Sequence, residues 1–210
     1  MTSILGRKIE HKLASLQSLC LSVFTLLIAS PASGHDESSG GAGFVTGLLH
    51  PALGFDHLLA MLCVGVLSVQ IGGYAIWYIP GAFLTAMLFG GYLGMSEISV
   101  PAVESGIAVS VLALGAAIVF GNRVSRWIAL VFVGFFAVFH GHAHGTEMPL
   151  VADPLLYGMG FVVGTAIIHL TGVLVGFLAR RKINGHVKLR YGGVMVSLVG
   201  AYFLLSGLLE

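Results

Sequence analysis

The chain has 210 residues, 57% of them hydrophobic and only 9% charged, with a formal net charge of +1. Soluble domains carry about a quarter charged residues, so water is excluded as the main solvent, and the near-zero charge gives no field to attract nucleic acid. The two cysteines, Cys20 and Cys63, lie in apolar runs without CxxC spacing, which excludes a disulfide framework and points to packing.

In chain order, Arg7, Lys8 and Lys12 precede an apolar stretch from Leu13 to Ile28, followed by Ser30-Pro31-Ala32-Ser33-Gly34. A basic flank, an apolar stretch and a small-residue break predict a signal peptide over residues 1–34, cleaved to leave His35 as the new amino terminus. An uncleaved anchor is the competing reading, since the apolar run is only slightly short of the roughly 20 residues a membrane span needs. A polar lead follows, from His35 to Gly43. Apolar segments then recur at membrane-spanning length: Gly47 to Ile71, Ala75 to Met95, Pro101 to Phe120, Trp127 to Phe139, Leu155 to Ala179 and Tyr191 to Leu209. The predicted fold is an all-α membrane protein, a bundle of six transmembrane helices forming one domain over residues 35–210. The fourth segment reaches spanning length only if its helix continues through His140 and His144.

Cytoplasmic loops of membrane proteins concentrate Lys and Arg. With the mature amino terminus outside, Arg123, Arg126, Arg180, Arg181, Lys182, Lys188 and Arg190 all fall in the cytoplasm. Asp36, Glu37, Glu97, Glu104, Glu147, Asp153 and Glu210 fall on or near the outer face, with Asp56 inside the first span. Gly90 and Gly94, Gly160 and Gly164, and Gly172 and Gly176 stand four apart, a spacing that lets helix backbones approach closely.

Ionisable groups at membrane depth are costly and invite a functional explanation. The first group is His50-Pro51-Ala52-Leu53-Gly54-Phe55-Asp56-His57. On an unbroken helix His50 and His57 would be about 10 Å apart along the axis, too far to share an ion. Pro51 and Gly54 could supply a break. Otherwise His50 is interfacial and Asp56 merely bonds His57. The second group is Phe139-His140-Gly141-His142-Ala143-His144-Gly145-Thr146-Glu147. His140 and His144 share a helical face, Glu147 follows one turn later, and His142 points elsewhere on a regular helix. Imidazole and carboxylate suit divalent nickel, cobalt or zinc, and not magnesium, calcium or cuprous copper. Glu104 at the start of the third span is either a path residue or a carboxylate placed by the helix dipole. His169, deep in the fifth span, is either a path residue or a buried histidine bonded to Thr165 or Thr171. His35, with Asp36 and Glu37, is either a capture site or a flexible lead.

On these two motifs the chain resembles the HupE/UreJ proteins, secondary permeases linked with nickel supply to hydrogenase and urease and in some cases with cobalt. The family pattern of a His, five residues, then Asp-His stands at His50 to Asp56-His57, and its later histidine pattern stands at residues 139–147. The signal peptide followed by histidine, the six spans and the glutamate opening the third span also fit. The resemblance implies that His50, Asp56, His57, His140, His144 and Glu147 are needed for transport, with His142, Glu104 and His169 alongside. It implies an inner-membrane permease with a periplasmic amino terminus, Ni2+ or Co2+ as transported substrate and no permanent cofactor. Its partners would be a divalent metal ion and membrane lipid. Two other classes stay open: an intramembrane zinc hydrolase, which would need a closed ligand cluster and a general base, and a metal sensor or assembly protein that binds without flux. No GxxxxGK[ST] loop occurs.

Overall fold

Lipid offers no hydrogen bonds to a peptide backbone, so an apolar chain crossing it must satisfy its own N–H and C=O groups, and a helix does so within one segment. The computed structural model describes residues 41–149 and 152–209, and every regular element among them is helical. These are α1 (Gly41–Leu49), a 3-10 turn (His50–Ala52), α2 (Phe55–Ile71), α3 (Ala75–Met95), α4 (Val103–Phe120), a second 3-10 turn (Gly121–Arg123), α5 (Arg126–Thr146), α6 (Pro154–Arg181) and α7 (Gly185–Leu209). The expected signal peptide and His35 lie outside the described residues.

Helices α3 to α7 are each long and apolar enough to cross a membrane, and α1 with α2 passes the same test only as a pair bent by 78°, which gives five spans, or six where the bent pair is counted as one. The first expected span is therefore not one rod but two pieces. Helix α5 continues through the histidines to Thr146, which gives the fourth span its length. Helix α7 begins at Gly185, earlier than the expected Tyr191, because Asn184 takes a left-handed turn (φ 58°) and the carbonyl there accepts from Val187 and Lys188. Lys188 and Arg190 thus stand on the helix rather than in a loop.

Helix α2 lies at the centre, with Ala60, Met61, Val64, Leu67 and Val69 almost wholly enclosed by α3, α4 and α6. Cys63 is a free, buried thiol packed in this core. Glycine sets the closest approaches. A Cβ on Gly90 or Gly94 would strike the carbonyls of Val138 or His142, and one on Gly141 or Gly145 would strike those of Met87 or Gly91, so α3 and α5 touch backbone to backbone. Along α6, Gly160 and Gly164 meet the carbonyls of Phe44 and Leu48, while Gly172 and Gly176 meet Leu62 and Val69. One 28-residue helix, about 42 Å long, therefore holds both halves of the broken span.

Gly141→Ala forces a methyl onto the Met87 carbonyl and is expected to destabilise the protein by about 1–3 kcal/mol, whereas Gly134→Ala, with nothing near its Cβ, should be neutral. Thermal unfolding of the two variants in detergent checks this.

Candidate metal site

The break in the first span positions one half of the site. Pro51 starts the 3-10 turn, where a missing N–H costs nothing, and Gly54 is extended (φ −83°, ψ 116°) before α2 restarts at Phe55. A Cβ on Gly54 would stand 2.7 Å from the His57 ring and 3.2 Å from the Asp56 carboxylate, so glycine leaves room for both. Asp56, in the first turn of α2, accepts from the His57 backbone N–H at 2.9 Å and lies 3.9 Å from His57 Nε2.

Helix α5 supplies the other half. At about 100° per residue, His140, His144 and Glu147 fall within an arc of about 60°, Gly141 and Gly145 beside them, and His142 on the far side. The glycines take the face against α3, and this seating turns the histidines toward α2. His50 Nε2 donates to Glu147 Oε2 at 3.2 Å, and His144 Nδ1 is 3.8 Å from the same oxygen. One ligand atom from each of His50, His144 and Glu147 lies within 4.8 Å of the others. An ion centred among them would stand at most about 2.8 Å from each, so a small inward shift reaches the roughly 2.0–2.2 Å of a bound transition metal. His144 is 3% exposed while Glu147 is 57% exposed, so the group spans from interior to solvent.

Inward of this triad the rings are linked. His57 lies 4.1 Å from His144 between ring centroids, and its Nδ1 is 3.0 Å from Nδ1 of His140. His140 is fully buried, and its Nε2 is 2.7 Å from Ser110 Oγ. The Ser110 hydroxyl donates to the Ile107 carbonyl at 2.7 Å. Following the chain with both imidazoles neutral, His140 Nε2 donates to Ser110, its Nδ1 accepts from His57 Nδ1, and His57 Nε2 is left with a lone pair. The cavity above, about 320 Å³, is lined by His50, Asp56, His57, Glu104, His144 and Glu147. Glu104 thus joins the group from the first turn of α4.

Two sequence-flagged histidines stand apart. His142 donates from Nε2 to the Ile98 carbonyl at 2.9 Å and borders a separate cavity beside Met95 and Glu97. His169 is buried and bonds neither Thr165 nor Thr171; its Nδ1 donates to the Met61 carbonyl at 2.8 Å, and its Nε2 has no partner. Thr171 instead donates to the Ile167 carbonyl. The Phe83 ring packs against both His140 (5.6 Å) and His169 (5.0 Å). Sequence reasoning did not single out Ser110, Phe83, Tyr157 or Phe161. Tyr157 and Phe161 pack on His50, and Phe161 packs on His144 as well. The one available signal was a hydroxyl within each apolar span at Ser110 and Tyr157.

Residues 23–203 match the family described as HupE / UreJ protein. The chain is also 40% identical over 164 residues to Protein HupE of Rhizobium leguminosarum bv. viciae, covering 78% of this chain and 85% of that one. No solved structure matches it.

Titrating the purified protein in detergent with Ni2+ or Co2+ checks the geometry. Glu147→Gln or His144→Ala is expected to weaken binding roughly tenfold or more, the loss of one charged or imidazole ligand, while His142→Ala should leave it within about twofold because His142 faces away from the triad.

Proposed function

Because the chain belongs to the HupE / UreJ family, a transport and accessory family associated with nickel and cobalt uptake for hydrogenase and urease, we propose that it is an inner-membrane secondary permease for divalent nickel, with cobalt as a further substrate. Uptake runs from the periplasm, the side of the mature amino terminus, to the cytoplasm, the side of the Lys and Arg loops. The metal supplies enzymes such as hydrogenase or urease. The observation that carries this reading is the row of donor groups that begins at an open, acidic cavity and continues into the bundle.

An entering ion meets Asp56, Glu104 and Glu147, whose negative charge offsets the loss of its water shell. His50, His144 and Glu147 replace part of that shell. The lone pair on His57 Nε2 provides the next donor, and His140, held by Ser110, fixes that tautomer. His169 Nε2 stands farther in, beyond Phe83. Conduction needs several sites of moderate strength rather than one closed tetrahedron. The exposed Glu147 and the loose spacing of the triad suit exchange better than the tight, enclosed ligand set of a zinc hydrolase.

Uptake of radioactive nickel and cobalt into proteoliposomes tests the reading at equal protein abundance. Saturable uptake is expected for the intact chain, with losses of at least about tenfold in His57→Ala and His140→Ala, as for removed metal ligands or their supports. Metal binding without flux in the intact protein would overturn the permease in favour of a sensor or assembly role.

A further inference from the structure

At the end of the bundle opposite the histidines lies a second cavity, about 340 Å³ in volume, whose largely apolar wall carries a few basic groups. Arg180 from the end of α6 and His186 and Arg190 from the first turns of α7 line it, with Gln70, Phe120 and Leu189. No carboxylate is among its lining residues. The described acidic residues, Asp56, Glu97, Glu104, Glu147 and Asp153, all stand at the other ends of their helices. Two guanidiniums and an imidazole thus line one cavity without a counter-ion among the described residues, and the amino-terminal, positive end of the 25-residue α7 lies at the same place.

The donors are not consumed internally. Arg180 Nη1 donates to the Val69 carbonyl at 2.9 Å, which caps the end of α2 and leaves the rest of its fork available. Gln70 Nε2 donates to the Ile118 carbonyl at 3.1 Å, and its Oε1 is buried without a partner. Phe120 is exposed and lines the cavity, an apolar surface that an acyl chain could cover.

We propose that this cavity binds the phosphate group of an anionic phospholipid. The phosphate bridges Arg180, His186 and Arg190, and the acyl chain lies along Phe120. The lipid staples the start of α7 to the end of α6. This assignment is independent of whether the protein transports metal.

The test measures the thermal midpoint of the full-length protein in detergent against added phosphatidylglycerol, phosphatidylcholine or inorganic phosphate. Phosphatidylglycerol is expected to raise the midpoint by several degrees, with no comparable effect of the other two. Arg190→Gln should weaken the apparent affinity roughly tenfold, as expected for one charge-assisted contact, and His186→Gln combined with Arg190→Gln should abolish the shift. Lys188→Gln removes the same charge from a neighbouring exposed position that does not line the cavity and should retain it. Arg180 is kept intact in all variants because it also caps α2. Equal loss in Lys188→Gln and Arg190→Gln, or no shift in the intact protein, would overturn the site. An equal shift from inorganic phosphate would overturn the lipid as its source.

Discussion

The 78° bend between Ala52 and Phe55 is the constraint on which the rest of the site depends. An unbroken helix would keep His50 and His57 about two turns apart on one side, and one ring on a neighbouring helix could not touch both. With the bend, both meet His144, at 4.9 and 4.1 Å between ring centroids. A break in lipid exposes backbone groups unless they are covered, and here the long α6 covers both sides of it. Its two glycine pairs make that possible, because α1 and α2 approach one helix at successive levels. A side chain at Gly160, Gly164 or Gly172 would strike a backbone carbonyl of the broken span and push that half outward, whereas Gly176 meets only the Val69 side chain.

Backbone contact at α3 and α5 has the same consequence on the other side of the site. Gly141 and Gly145 alternate with His140, His142 and His144, so the residues that permit close packing and those that carry chemistry share one helix turn by turn. The face given to glycine fixes the face given to imidazole. Tight packing leaves the buried rings little freedom to reorient, so the donor chain from Ser110 through His140 to His57 is held by the fold. The same rigidity distinguishes His142, whose ring is used to tie α5 to the Ile98 carbonyl.

Much of this was legible in the sequence, because it rests on local rules. Span lengths follow from apolar runs, and the expected Ala75 to Met95 helix is reproduced to the residue. The break was foreseeable from Pro51 and Gly54, and the shared face of His140, His144 and Glu147 from helical spacing. What could not be read were meetings between distant residues. His50 finds Glu147 across 97 positions, His57 finds His140 across 83, and Ser110 finds His140 across 30. No periodicity specifies such pairs; they depend on which glycine seam seats which helix. His169 shows the limit well: both nearby threonines were sensible partners on its own helix, yet the α2 carbonyl of Met61 takes the bond because Gly65 brings that helix within reach.

The two ends of the bundle also constrain each other electrically. In the proposed transport, carboxylates at the histidine end would draw a divalent cation inward, and an ion that crossed would face Arg180, Arg190 and their neighbours at the opposite end. Both arginines are exposed, so solvent and salt screen part of their repulsion, but unpaired guanidiniums beside an exit would still raise the barrier to release. A phosphate seated among them offsets that charge without placing an acidic side chain near the exit, where a carboxylate would itself hold the metal. Because a phosphate oxygen engaged by two arginines and an imidazole is a poor ligand for a second cation, this arrangement lowers the barrier without creating a trap. If both proposals hold, the acids at one end and the basic cavity at the other are parts of a single electrostatic problem that a bound lipid phosphate would balance.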